Sequence, residues 1–405
     1  MTPGTLKLDL LQTLTLAAVV LFLGLALRRR IAILDRLNIP SAVVGGLTFA
    51  VLVLVAHDRV LNLEVDTAMQ STLNVAFFTT IGMGASVAVL RAGGVQVIIF
   101  LALSIVFCFV QNFLGMSVAG AFNEHPLLGV LAGSVTLVGG PATGLAFAPQ
   151  FEEAGMQGAA VVAITAATFG IVCGGILGGP LGTRLIRRFN LAGRAGASSR
   201  ELETELSDRD EPLLVHVDAE DTALVRNMVV LALAMGLGSV VSRFIQSLGV
   251  TLPAYIGAMA VASVIRNLDD SFRWFKIDLK AMEFMGNTAL NLFLVVALMN
   301  LKLWQLWGLA LPLATILVLQ VGAVALAAYF VTFRVMGRDY DSAVTTSGFV
   351  GFVLGTTANA VANMRALVAR YGPAPRAFLV VPLVGAFFID FANALIITLF
   401  LNWLR

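Results

Sequence analysis

Long uncharged runs alternate with short charged loops along this chain. Runs near 10–27, 37–56, 68–90, 95–121 and 158–183 are predicted to be apolar helices. A second set falls near 224–242, 252–265, 284–301, 306–333 and 377–403. Between the fourth and fifth run of each set lies a further uncharged segment, Pro126–Phe151 in the first and Ser342–Met364 in the second. These two break the pattern. Leu137–Ala146 reads LVGGPATGLA and Phe352–Met364 reads FVLGTTANAVANM, with glycines and small polar groups where a lipid-facing helix would carry leucines. Non-helical backbone at membrane depth survives only where protein or a water-filled cavity satisfies its N–H and C=O groups. Both segments are therefore expected to be re-entrant hairpins, about 126–151 and about 342–364.

One long polar stretch, Phe189–Asp221, divides the chain almost in half. The expected organisation is a five-helix repeat over 1–188, a charged cytoplasmic linker over 189–222 and a second repeat over 223–405. A shift of 215 residues sets Phe78 on Phe293, Gly133 on Gly348 and Gly140 on Gly355. Asn38-Ile39-Pro40 and Thr251-Leu252-Pro253 each open the second run of their half. An odd number of spans per half forces inversion. The fold class is thus an all-α polytopic membrane protein of two inverted repeats of five transmembrane helices, each with a hairpin between its fourth and fifth helix.

Composition supports this class. The chain is 59% apolar and 12% charged with a mean hydropathy of +0.92, against soluble norms of about 45–50% and about 25%. The first run ends in Arg28, Arg29 and Arg30, whereas a cleavable signal peptide carries its basic residues before the apolar run, so a retained span is expected. With the N-terminus outside, the cytoplasmic side receives Arg28–Arg30, Arg91, Arg184, Arg187, Arg188, Arg334, Arg338 and Arg376, and the outside only a few cations. That bias follows the positive-inside rule. It places both termini outside and lets one hairpin enter from each face.

A net charge of +2 argues against a nucleic-acid partner. Cys108 and Cys173 lie in apolar runs, and His57, His125 and His216 lie in separate loops, so neither a disulfide framework nor a metal centre is expected. No G-x-x-x-x-G-K-[ST] run supports ATP-driven transport. No nucleophile–base arrangement supports an enzyme, and no cofactor is implied beyond a coupling ion.

The hairpins carry the candidate chemistry, because paired interruptions in two halves are the sequence pointer to a transporter's binding site. Amides at a half-helix N-terminus attract carboxylates. The candidates for an anionic substrate are Gly139, Gly140, Ala142, Thr143 and Gly144 in the first hairpin, and Gly355, Thr356, Thr357, Asn359 and Asn363 in the second. Ser134 and Thr136 offer oxygens to a dehydrated Na⁺. Small residues here also permit tight helix packing, a competing reading. Asp390 sits mid-span in VGAFFIDFANALII, with Asn393 one turn away. An ionisable group there costs about 2.5–3.5 kcal/mol on insertion scales and marks a functional cavity, so both are candidate ion-binding or coupling groups. Asn74, Asn287, Asn291 and Asn300 are expected to bond between helices, and Trp304, Trp307 and Trp403 to form an interfacial belt. A passive channel is the reading from another class, but it should show a polar stripe through several spans.

The chain resembles the bacterial sodium/glutamate symporter family over nearly its whole length. The resemblance rests on NIPSAVVGGL (38–47), AFFTTIG (76–82), GVLAGSVTLVGG (129–140), TFGIVCGGILGGP (168–180) and ANMRALVARYGPAPRAFLVVPLVGAFFID (362–390). It implies a Na⁺-coupled carrier of glutamate or a related acidic amino acid in the bacterial inner membrane. It also implies a homodimer in which a transport domain moves, elevator-like, against a scaffold. Thr143, Gly144, Thr357, Asn363 and Asp390 match the family's pattern. Pro141 stands where the family typically has His, Phe349 likewise, and Thr357-Ala358-Asn359 replaces Thr-Pro-Thr. Loss of donors at Pro141 and Phe349 implies a larger or less polar pocket. Another Na⁺- or H⁺-coupled organic-anion carrier on the same architecture is the alternative.

Overall fold

The computed structural model describes residues 5–56, 62–191, 221–247 and 253–404. Most of the expected linker over 189–222 lies outside the described residues, as do His57 and His216. The first half runs α1 (Leu10–Arg30), α2 (Ala32–Arg36), α3 (Ser41–Ala56), α4 (Ala68–Gly84), α5 (Val87–Ala92), α6 (Gly94–Ala121), α7 (Pro126–Val130), α8 (Gly140–Glu153) and α9 (Ala159–Arg188). The second runs α10 (Asp221–Ser247), α11 (Ala254–Phe272), α12 (Leu279–Met299), α13 (Ala310–Ala327), α14 (Tyr340–Val353), α15 (Thr357–Tyr371), α16 (Pro375–Leu383) and α17 (Ile389–Trp403). A short parallel strand pair, Thr5–Lys7 on Asn62–Glu64, precedes α1 and α4.

Among the described residues, six helices are long and apolar enough to cross a membrane: Leu10–Arg30, Gly94–Ala121, Ala159–Arg188, Ala223–Ser247, Leu279–Met299 and Leu303–Val335. The protein is thus an all-helical polytopic membrane protein. Several expected runs are subdivided. The run at 68–90 breaks at Ala85–Ser86, because the Ser86 hydroxyl caps α5 by accepting from Val89 N and donates to Asp270 on α11 at 2.5 Å. The run at 37–56 starts its helix only at Ser41, since Asn38 is left-handed (φ +53°) and Pro40 follows. The last run is one path of two helices joined by a π turn over Val384–Phe388.

Packing sorts the helices into two groups. In one, α1 lies on α3, α3 and α4 on α12, and α4 and α10 on α11. In the other, α6 holds α7, α13 and α17, while α9 holds α8, α14 and α15. The groups meet along α4, α8, α12 and α17. Within the second group, α9 presents Gly170, Gly174, Gly178 and Gly182 at four-residue spacing, hence along one face. A Cβ on Gly170 would meet Leu354 O at 2.2 Å, and one on Gly178 would meet Asn363 Nδ2 at 2.1 Å. Only glycine lets α14 and α15 approach α9 this closely, which is the small-residue packing used between membrane helices.

Not every polar group in the spans behaves as expected. Asn287 is exposed, and Asn291 Nδ2 donates to the Asn287 carbonyl one turn back on its own helix. Among the described residues neither makes a hydrogen bond to another helix; the acceptor that Asn291 uses is the backbone of its own helix.

Candidate functional site

Both unusual segments are helix–break–helix units. In the first, Pro126 occupies the opening turn of α7 and His125 caps it, its Nδ1 accepting from Leu127 N at 3.2 Å. A π turn over Leu131–Val135 follows, and Gly133 departs from helical geometry at φ −101°, ψ −129°. The chain then enters α8 at Gly140, whose φ of +67° is a left-handed conformation that glycine adopts without strain. In the second, α14 ends at Val353, and α15 opens after Thr356, whose hydroxyl accepts from Asn359 N.

The two breaks touch. A Cβ on Gly140 would stand 3.7 Å from Gly355 O and 3.8 Å from Thr356 Cγ2. The N-termini of α8 and α15 therefore abut, each with first-turn amides that lack intrahelical acceptors. Such ends carry partial positive charge, and here two of them share one junction.

The candidate residues divide by exposure. Gly139, Ala142, Thr356 and Thr357 are half-buried at the junction, and Ala358 beside them is exposed. Gly140 and Thr143 are buried, with the Thr143 side chain folded back against Gly139. Gly144 is buried against Ala163 of α9 and Thr136. Asn359 and Asn363 are tied to α9: their Nδ2 atoms donate to Ile171 O at 2.8 Å and Gly174 O at 2.9 Å, while the Asn359 amide lies against Gly355 and its Oδ1 is buried with no partner among the described residues. Phe349 does not border the junction as an open wall. It is fully buried, edge-on to Phe100 and Phe107 of α6, so its ring fills helix–helix space.

The last span bridges both breaks. Thr357 Oγ1 donates to Gly385 O at 2.9 Å, and Asn393 Nδ2 donates to Ser134 O at 2.9 Å. Asp390, half-buried, lies in the chain between those two anchors and has no hydrogen bond or ion pair among the described residues. Ser134 Oγ and Asn393 Oδ1 are also buried without a partner among the described residues. Thr136 Oγ1 is committed to Leu131 O at 2.7 Å. Buried oxygens of this kind are costly unless something satisfies them.

Below the second break, Asp339 caps α14 and accepts from Arg376 Nη2 at 2.5 Å and from Ser342 Oγ at 2.6 Å. Burial pushes its pKa up, but the Arg376 guanidinium and the Ser342 donors outweigh this and hold the carboxyl below its usual range. Three further residues at the breaks left little trace in the pattern: Gln111 and Asn112 on α6 and Gln320 on α13, all fully buried. Two adjacent amides, Gln111 and Asn112, in a largely apolar run were the available signal.

The family model described as sodium/glutamate symporter matches residues 6–373. The chain belongs to the sodium/glutamate symporter family. It is 39% identical to the sodium/glutamate symporter of Escherichia coli (strain K12), over 97% of this chain and 98% of that protein. It is 37% identical to the one from Haemophilus influenzae (strain Rd), over 95% of each. These sodium/glutamate symporter relatives are named as transporters, not enzymes. No solved structure matches the chain. The matched family region ends before Asp390 and Asn393.

Proposed function

We propose that this protein is a secondary transporter coupling Na⁺ to the symport of glutamate or a related acidic amino acid. The observation that carries this is the junction of Gly140 with Gly355 and Thr356, where two helix N-termini converge on one half-buried spot. A substrate carboxylate is the ligand that two positive helix ends favour. Gly139, Ala142, Thr356 and Thr357 would offer it backbone amides and Thr356 its hydroxyl, the Thr357 hydroxyl proton being committed to Gly385 O, while Thr143, Gly144, Asn359 and Asn363 hold the tips in shape. Na⁺, as co-substrate, would be held by oxygens of Asp390, Asn393 and Ser134, with Thr136 shaping the turn beside them. Each is an oxygen donor, the chemistry a hard cation requires.

The architecture is read as two inverted repeats with re-entrant hairpins. Reciprocal contacts support this: Gly46 of α3 packs on Leu298 of α12, and Gly82 of α4 packs on Met259 of α11. Likewise Gly24 lies against Ser41 and Gly45, as Gly238 lies against Ala258 and Gly257 lies back against Gly238. The two packing groups fit a scaffold (α1, α3, α4, α10–α12) and a moving body (α6–α9, α13–α17), the division an elevator mechanism needs. The full reading is a homodimer in the bacterial inner membrane with both termini outside and the linker cytoplasmic.

Uptake of labelled L-glutamate into liposomes holding the purified protein tests the function. A Na⁺ gradient should drive accumulation, and H⁺ or K⁺ gradients alone should not. Absence of any glutamate signal removes glutamate, and competition by other dicarboxylates then identifies the organic anion carried instead.

A further inference from the structure

Helix α6 carries two adjacent side chains whose only bonds among the described residues go to the two breaks. Gln111 Nε2 donates to Val353 O at 3.0 Å, at the end of α14 where the second break begins. Asn112 Oδ1 accepts from Ser134 N at 2.9 Å, beside the Gly133 kink of the first break. The polarities are matched to what each break lacks. A helix that ends leaves orphan carbonyls, and α14 ends at Val353. A kink that departs from helical geometry leaves the following amide without its i−4 acceptor, and Gly133 is followed by Ser134. One helix thus supplies a donor to one break and an acceptor to the other from consecutive positions. Consecutive residues project about 100° apart on a helix, which suits partners on different sides.

The surroundings fix this pair in place. Gln320 of α13 braces it, its Nε2 donating to Gln111 O at 2.6 Å. All three side chains are fully buried; each amide makes one bond, and Gln111 Oε1, Asn112 Nδ2 and Gln320 Oε1 have no partner among the described residues, so the single bond each makes is what offsets part of its burial cost. Gly133 sits so close that a Cβ there would lie 2.7 Å from Asn112 Oδ1 and 3.2 Å from Gln111 O. Ser134 is then held from both sides, by Asn112 through its amide and by Asn393 through its carbonyl.

We infer that Gln111 and Asn112 form a strut that holds the two helix breaks in register, so that occupancy at one break sets the affinity at the other. They are positioning residues, since neither borders the junction. The inference rests on the reading above that the abutting breaks form the transport site. A strut of this kind makes Na⁺ and substrate binding mutually dependent, because a break that shifts on one side drags its partner through rigid α6.

The test measures L-glutamate uptake in liposomes at several Na⁺ concentrations, giving the glutamate KM and its dependence on Na⁺. Gln111→Met and Asn112→Leu should each raise KM by about 10-fold, the effect of losing one buried bond, and flatten its Na⁺ dependence. Asn112→Asp, which keeps the acceptor for Ser134 N, should restore both. Because cutting either end releases the register, the double variant should be no worse than the worse single one. A folded Gln111→Met carrier with wild-type KM and Na⁺ dependence overturns the strut, as do strictly additive losses. If Gln111→Met does not fold, the Asn112 pair decides: equal behaviour of the Leu and Asp variants overturns it. Gly140→Ala separates the two readings. If it leaves KM unchanged, the site itself is misplaced; if it raises KM while Gln111→Met does not, only the strut fails.

Discussion

Gly170 marks the tightest approach of α9 to the second break, and it offers a direct test of how the site is held. An alanine Cβ there would lie 2.2 Å from the Leu354 carbonyl oxygen, a backbone atom that no rotamer change can move aside. Restoring ordinary contact requires α9 and the break to separate by about 1 Å. Overpacking of this kind costs about 1–3 kcal/mol, and the better helix propensity of alanine returns about 1 kcal/mol. Thermal stability of Gly170→Ala in detergent should therefore fall modestly. Transport should fall further, since a displacement of about 1 Å at a binding geometry can cost on the order of 100-fold. Gly179 supplies the control on the same helix: nothing lies within 4 Å of its Cβ position, so Gly179→Ala should be neutral or slightly stabilising. Paired measurements of melting temperature and glutamate uptake decide the matter. Equal melting and uptake in the two variants would refute the view that close packing on α9 holds the second break in place.

Three further outcomes follow from the same geometry. Asp390→Asn should weaken Na⁺ activation of uptake more than it lowers the melting temperature, and unchanged Na⁺ activation would dismiss Asp390 as a cation ligand. Asn363→Leu should destabilise the fold by about 1 kcal/mol through loss of its bond to Gly174 O, with glutamate KM nearly unchanged; lost binding at unchanged stability would instead place the amide on the substrate. Asp339 has a depressed pKa in the folded protein, so its contribution to stability is complete above the unfolded carboxylate range and disappears as pH falls through the lower folded value. Wild type should exceed Asp339→Asn in stability by up to about 1 kcal/mol at neutral pH, because the pair is half exposed and screened. Melting curves that differ equally at pH 7 and pH 2.5 would contradict that origin.

The candidate site was readable in the pattern to the extent that its signals are local. Glycine and small polar residues at 137–146 and 352–364 announced interrupted helices, and the structure has breaks at Gly139–Gly140 and Leu354–Thr356. Roles within those segments were not readable. Asn359 and Asn363 looked like substrate ligands by type and position, yet their donors go to carbonyls of α9, about 190 residues away in the chain. Phe349, whose lack of a donor implied a larger or less polar pocket, packs edge-on to Phe100 and Phe107. Gln111 and Asn112 carry no local signal of their role, although they reach Val353 and Ser134.

Hydropathy, charge asymmetry and glycine placement were enough to establish a polytopic helical membrane protein with two matched irregular segments. Those properties follow from each segment's own exchange between water and lipid, which depends on composition over about 20 neighbouring residues. Tertiary structure alone decided that the two breaks meet at Gly140 and Thr356, that the last span ties both through Thr357 and Asn393, and which amides face inward. A hydrogen bond is directional and spans about 3 Å, so its partner is chosen by how helices dock and not by neighbours in the chain.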